Sequence, residues 1–192
     1  MEPIYLDYNA TTPIDPEVAD AMRPYLDGLF GNPSSTHLHG LAARKAVDTA
    51  RMQVAELLNC EPDEIIFTSG GTESNNFAIK GTAGANRDRG NHIITSAIEH
   101  PAVTEVCAHL STLGFTTSVI PVDETGLVDP EAIERAVTKE TILITVMHAN
   151  NEVGTIAPID KISAVARKHG ITFHTDAAQS VGKIAVDVQA LG

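Results

Sequence analysis

Four short stretches carry residue types that could act together on one small anionic molecule. The first, Thr68-Ser69-Gly70-Gly71-Thr72-Glu73, places two glycines ahead of a helical pattern. Glycine lets backbone approach a ligand closely. The N–H groups and dipole of a helix start favour an anion, and the Ser69 and Thr72 hydroxyls add donors. Phosphate is the natural guest. Neither GxxxxGK[ST] nor GxGxxG is present, so this is neither a nucleotide P-loop nor a dinucleotide fingerprint. A plain glycine turn with Thr72 near a helix cap uses the same residues.

The second stretch, Ile98-Glu99-His100-Pro101, sets an imidazole just before a helix start. Histidine can stack on a planar ring and move protons near neutral pH, or simply cap the helix. In the third, His148-Ala149-Asn150-Asn151-Glu152-Val153-Gly154, adjacent amides at a strand end suit a phenolic oxygen, although Asn and Gly also make turns. The fourth is Phe173-His174-Thr175-Asp176-Ala177-Ala178-Gln179. Asp176 could hold a ring nitrogen protonated and Gln179 could touch a neighbouring oxygen, or Asp176 could cap the next segment. His174 reads as a core histidine, not a metal ligand, and no metal site is expected. Together the four supply a phosphate cradle, a ring-stacking group, ring-edge amides and a pyridinium partner, which converge on pyridoxal 5'-phosphate.

These residues must be held by elements that the pattern also predicts. Asp15-Pro16-Glu17 reads as a capped helix start, Asn32-Pro33 as a break, and Leu38 to Leu58 as a long amphipathic helix with apolar Leu41, Val47, Ala50, Val54, Leu57 and Leu58. Arg44, Lys45, Asp48 and Arg51 fall on its solvated face. Strands are expected at Glu64–Thr68, His92–Ser96, Thr116–Pro121, Thr141–His148 and Ile171–Thr175. Helices start at Thr72, at Pro101 and after Asp129-Pro130, and one runs from Pro158 to His169. No helix or strand that would close the sheet is expected after Asp187. The alternation predicts an α/β fold, a mainly parallel sheet with helices on both faces. Ligands of such sheets sit beyond the C-terminal strand ends, where all four stretches fall. Residues 1–15 are expected as an N-terminal segment and 16–192 as the cofactor-binding domain.

Composition narrows the partners. With 192 residues, 43% hydrophobic and 20% charged, the chain is expected to be globular. A net charge of −12 argues against nucleic acid and anionic membrane as partners. Two isolated cysteines, Cys60 and Cys107, offer no disulfide framework and no CxxC pair, which suits a reducing compartment and a cytoplasmic location. The start MEPIYLDYN has no apolar core of an export signal, and no run reaches the roughly 18 apolar residues of a membrane span.

Several of these motifs, in this order, resemble the cysteine desulfurases, relatives of the selenocysteine lyases within the class V aminotransferases. They are Tyr5 to Pro13, Gly31-Asn32-Pro33-Ser34-Ser35, Thr68 to Asn76, Glu99-His100, Asn150 to Gly154 and His174 to Gln179. The resemblance implies the fold type I large domain of pyridoxal-phosphate enzymes. It implies that Gly71 and Thr72 bind the phosphate, His100 stacks on the ring and acts in catalysis, Asn151 and Gln179 reach the phenolic oxygen, and Asp176 pairs with the ring nitrogen. It further implies L-cysteine as substrate, alanine and an enzyme persulfide as products, a homodimer, and delivery of sulfur to an iron–sulfur scaffold protein.

The family's cofactor lysine lies in a Ser-Gly-His-Lys motif that is not in this sequence, and the family's sulfur-accepting cysteine and carboxylate-binding arginine lie further on. Lys183 falls outside that motif, and Lys80 stands on the order of 12 Å beyond Thr72. Cys60 and Cys107 match no nucleophile position and read as buried or helix-face thiols. The expectation is therefore the N-terminal half of such an enzyme, weak or inert by itself, holding the cofactor without a covalent bond. Alternatives are a non-catalytic partner of a full-length desulfurase and part of a selenocysteine lyase.

Overall fold

The computed structural model describes residues 3–192; Met1 and Glu2 of the expected 1–15 segment lie outside them. Cα packing divides the chain into a first unit ending at Ile66 and a second from Phe67 to Gly192.

The first unit holds two helices. Asp15 caps α1 (Pro16–Asp27) by accepting the Glu17 N–H at 2.8 Å, as the Asp-Pro-Glu start requires. Helix α2 (Leu38–Leu58) matches its predicted span and stops at Asn59, whose left-handed φ of 55° turns its N–H onto the Ala55 and Glu56 carbonyls. Its apolar stripe is less buried than the pattern suggests: Ala55 is buried, while Leu41 and Leu57 are exposed. Spacing decides which side chains share a face, not what covers that face.

The strand expected at Glu64–Thr68 does not form. Pro62–Glu64 is a 3-10 turn, closed by the Glu64 carboxylate on the Glu61 N–H at 2.9 Å. The Arg51 guanidinium takes the Ile65 carbonyl, and Ile66 is 63% exposed. Without a neighbour to complete its ladder, an apolar run stays extended but unpaired.

The second unit contains the whole sheet. Strands β1 (His92–Ser96), β2 (Thr116–Ile120), β3 (Thr141–Thr145) and β4 (Thr172–His174) lie in the order β2-β1-β3-β4, with every pair parallel. Helices α3 (Gly71–Ala85), α4 (Pro101–Thr112), α5 (Pro130–Ala136) and α6 (Ile159–His169) follow the predicted alternation. Asp129 caps α5 through the Glu131 and Ala132 N–H groups.

Neighbouring residues of one strand join different cores, as strand geometry demands. Ile93 and Leu143 pack with Ile79 of α3 and Val103, Val106 and Leu110 of α4. Ile94 and Ile144 pack with Ile133 of α5 and Ile162 and Val165 of α6. The sheet is therefore covered on both faces. Between β1 and β3 the register passes from His92–Thr141 to Ile93–Leu143, which spends one extra residue on β3 and lets Ile142 join the same core as Leu143.

Past the end of β3 the chain still follows β4. Val146 and His148 donate their N–H groups to the carbonyls of His174 and Asp176 at 3.2 and 2.9 Å. These bonds carry the sheet's register into the segment where the functional residues were expected. Beyond β4 no strand is added among the described residues, and a short helix α7 (Val188–Leu191) forms because the Asp187 carboxylate caps the Gln189 and Ala190 N–H groups at 2.8 and 2.9 Å. No described helix is long and apolar enough to cross a membrane.

Gly90 sets the spacing at the start of the sheet. A Cβ there would lie 2.2 Å from the Glu140 carbonyl oxygen, beside the bond from the His92 N–H to that same oxygen. Backbone cannot yield as a flexible side chain would. Gly90→Ala should cost about 2 kcal/mol, the usual penalty for overpacking. Urea unfolding midpoints measure it, and an unchanged midpoint would show that the β1 entry relaxes freely.

Candidate functional site

Helix α3 begins at the glycine loop. Its cap residue, Gly70, has φ 158° and offers no side-chain cap, so the N–H groups of the first turn lack the satisfaction that Asp15 and Asp129 give their helices. A Cβ built on Gly70 or Gly71 meets no atom within 4 Å, so the space in front of this helix start is open. Around it the loop is bound to itself. Glu73 accepts the Ser69 N–H at 2.6 Å, and hydrogen bonds from Ser69 hold its carboxyl below the usual range. The Ser69 donors expected to serve an anion are thus engaged by Glu73. Thr68 Oγ1 meets Ser74 Oγ at 2.6 Å. Gly71 and Thr72 remain at the mouth of the helix.

One turn along α3, Asn75 was not singled out from the sequence. It is 4% exposed, and its Nδ2 donates to Asp176 Oδ2 at 2.8 Å. Gly71 and Asn75 stand four apart on one helix face. The glycine turn and the carboxylate are thus joined through a single helix. The other oxygen of Asp176 accepts the Ala178 N–H at 3.0 Å. Among the described residues each oxygen accepts one bond, which leaves a lone pair for a third donor.

The segment between β1 and α4 approaches the same end of the sheet. His100 caps α4 by accepting the Ala102 N–H on Nδ1 at 3.0 Å, which leaves the proton of the neutral ring on Nε2. The capping role weighed from sequence is present, and the ring's remaining edge and faces stay at the surface. Its neighbour Glu99 is buried, at 8% exposure, and accepts from the Ser96 hydroxyl at 2.5 Å and the Met147 N–H at 2.9 Å. Its Oε2 has no partner among the described residues. Burial, with a smaller push from the Asp176 charge, raises this carboxyl to about 7 against the lowering effect of its hydrogen bonds.

Asn150 and Asn151 divide their work. Asn150 is buried; its Nδ2 donates to the Ile98 carbonyl at 3.0 Å, and its Oδ1 accepts from Glu152 and Val153. It builds the turn. Asn151 directs its Nδ2 to Glu152 Oε1 at 2.9 Å. Gln179 sits in a run of turns after Asp176, and its Oε1 accepts from Lys183 Nζ at 2.5 Å, so that lysine reaches one of the expected ring-edge residues. His174 bonds Thr145 Oγ1 at 2.8 Å, and burial keeps its imidazole below the usual range. Cys107 is buried within α4, and burial pushes its thiol up to about 11, so it supplies no thiolate nucleophile.

One bonded path therefore connects four of the expected stretches: His100 and Glu99 to Met147 and His148, then Asp176, then Asn75 and the glycine loop. The path shows that the C-terminal ends of β1, β3 and β4 converge on one place. It sets no contact among Thr72, Asn151 and Gln179. Asn75 and Glu99 had no signal of their own in the sequence beyond lying inside the motifs, because their partners are far along the chain.

The profile of the class-V aminotransferases matches residues 4–192. The cysteine desulfurase IscS of Dictyoglomus turgidum is 54% identical over 189 residues, covering 98% of this chain and 48% of that protein. The corresponding protein of Methanosarcina thermophila is 50% identical over 188 residues, with 98% and 46% covered. Among solved structures, SspA in complex with cysteine superposes with a TM-score of 0.94 at 42% identity, covering 97% of this chain and 54% of that one. The chain spans about half the length of the curated relatives it matches.

Proposed function

The chain belongs to the class-V aminotransferase family, and we propose that it carries the pyridoxal-phosphate site of a cysteine desulfurase, with L-cysteine as substrate. The observation that carries this reading is the Asn75–Asp176 bond, which ties a carboxylate to the helix whose start is the open glycine turn. That pair suits a molecule with a phosphate at one end and a protonated ring nitrogen at the other. The relatives' names and the cysteine complex of a structural neighbour support the same choice.

When bound, the cofactor supplies an electron sink for bond changes on an amino acid. The chain's residues do the rest. Gly71 and Thr72 hold the phosphate by N–H and hydroxyl donors at the helix start. Asp176 would keep the ring nitrogen protonated, with the Asn75 amide holding one of its carboxylate oxygens. His100 would stack on the ring, with Nδ1 committed to the Ala102 N–H and Nε2 left to face the substrate. Asn151 and Gln179 would offer amide donors to the phenolic oxygen once the cofactor is bound. The overall change would convert L-cysteine and an acceptor cysteine thiol to alanine and a persulfide on that thiol, for use in iron–sulfur cluster assembly.

Titration of the chain with pyridoxal phosphate, followed by absorbance and circular dichroism of the bound cofactor, tests the site. Saturable binding that ATP does not displace is expected. Equal displacement by ATP would point to a general phosphate site.

A further inference from the structure

Three consecutive residues ahead of α4 are each tied to a different neighbour. The Ala97 N–H donates to the Ile120 carbonyl at the end of β2 at 2.9 Å. The Ile98 carbonyl accepts the Asn150 amide at 3.0 Å. The Glu99 carboxyl spans β1 and the chain beyond β3, through Ser96 and Met147. His100 follows at once, and its ring is pinned by its own bond to Ala102. A connection so restrained holds the following side chain in one place, as catalytic and binding groups require.

Among these anchors only Glu99 reaches out with its own side chain, and it does so at a cost. It is buried with one oxygen unpartnered, an arrangement that packing alone does not call for, since an apolar residue of similar size would fill the space without desolvating a carboxyl. Its neighbours are the functional segments themselves: Met147 precedes His148, which bonds Asp176, and Glu99 feels the Asp176 charge.

We infer that Glu99 is a positioning residue, whose clamp on Ser96 and Met147 fixes the His100 imidazole for contact with the bound cofactor; this rests on the reading of His100 as the ring-stacking group. Glu99 acts through His100. The role needs an acceptor at Oε1, which Gln supplies and Ala or Asp does not place correctly.

The test is a double-mutant cycle on the whole chain, read by the dissociation constant of pyridoxal phosphate and the circular dichroism of the bound cofactor at mildly acidic pH. His100→Ala should weaken binding about tenfold, the scale of a lost aromatic contact. Glu99→Ala should weaken it by a similar factor, and the double variant by no more than His100→Ala alone. Glu99→Gln should restore both the affinity and the spectrum. If Glu99→Ala does not fold, Glu99→Asp takes its place. Losses that multiply in the double variant, or a Glu99→Ala chain that binds as wild type while His100→Ala does not, would overturn the inference alone. Binding unaffected by His100→Ala would remove the stacking role and the inference with it.

Discussion

Glu99→Gln is expected to gain stability over the wild-type chain as pH rises, by on the order of 3 kcal/mol between pH about 4.5 and 8. Burial raises the Glu99 carboxyl from 4.5 to about 7 in the folded chain. Below about 4.5 folded and unfolded forms are both protonated, and the group contributes fully. Between 4.5 and 7 the folded chain still holds a proton that the unfolded chain has released, so wild-type stability falls as pH rises. Above 7 the loss is complete. Glutamine has no proton to release and keeps the Oε1 acceptor for Ser96 and Met147.

Buried imidazoles act in the opposite sense. Burial holds His92, His148 and His174 below their usual 6.5, so they favour folding at neutral pH and lose that contribution as pH falls through about 6.5. They are common to both proteins and cancel in the difference. Urea unfolding of both chains across this range gives that difference directly, and a flat result would show that Glu99 is ionised in the folded chain throughout.

Asp176→Ala is expected to weaken pyridoxal phosphate binding about a hundredfold, the upper part of the range for a hydrogen bond to a charged group. The proposed pairing with the ring nitrogen disappears, and the Asn75 amide is left without its bond at a buried position. The second effect appears without cofactor, as a stability loss of about 1–3 kcal/mol for an unsatisfied buried donor. Asn75→Ala separates the two. It removes the donor and keeps the carboxylate, so binding should fall by a smaller factor than in Asp176→Ala. Asp176→Ala binding within a few-fold of wild type would sink the assignment of Asp176 to the ring nitrogen, whatever the stability result.

Helix starts were legible because their causes are local. Asp15 and Asp129 cap within three residues, and Pro101 follows its cap directly, so composition over one turn suffices. The four central strands were legible because a run such as Ile142 to Val146 can be stable only when both faces are covered. The Glu64–Thr68 strand misled for the converse reason: its residues have strand character, but Arg51 and solvent occupy the places a neighbouring strand would fill. Asp187 caps in the same local way, and four residues of helix follow it.

The site divides along the same line. The glycine turn at Gly70 and Gly71 and the acid just past a strand at Asp176 were legible from residue type alone, since each needs only its own chemistry and a few neighbours. What the glycine turn and Asp176 share, the Asn75 bond, joins residues 101 positions apart in sequence. The burial of Glu99 depends on β3 lying beside β1. Caps and turns arise from contacts within one helical turn, so they can be read along the chain. Burial and its pKa consequences arise where distant segments exclude water from one another, and only the folded arrangement of strands decides that.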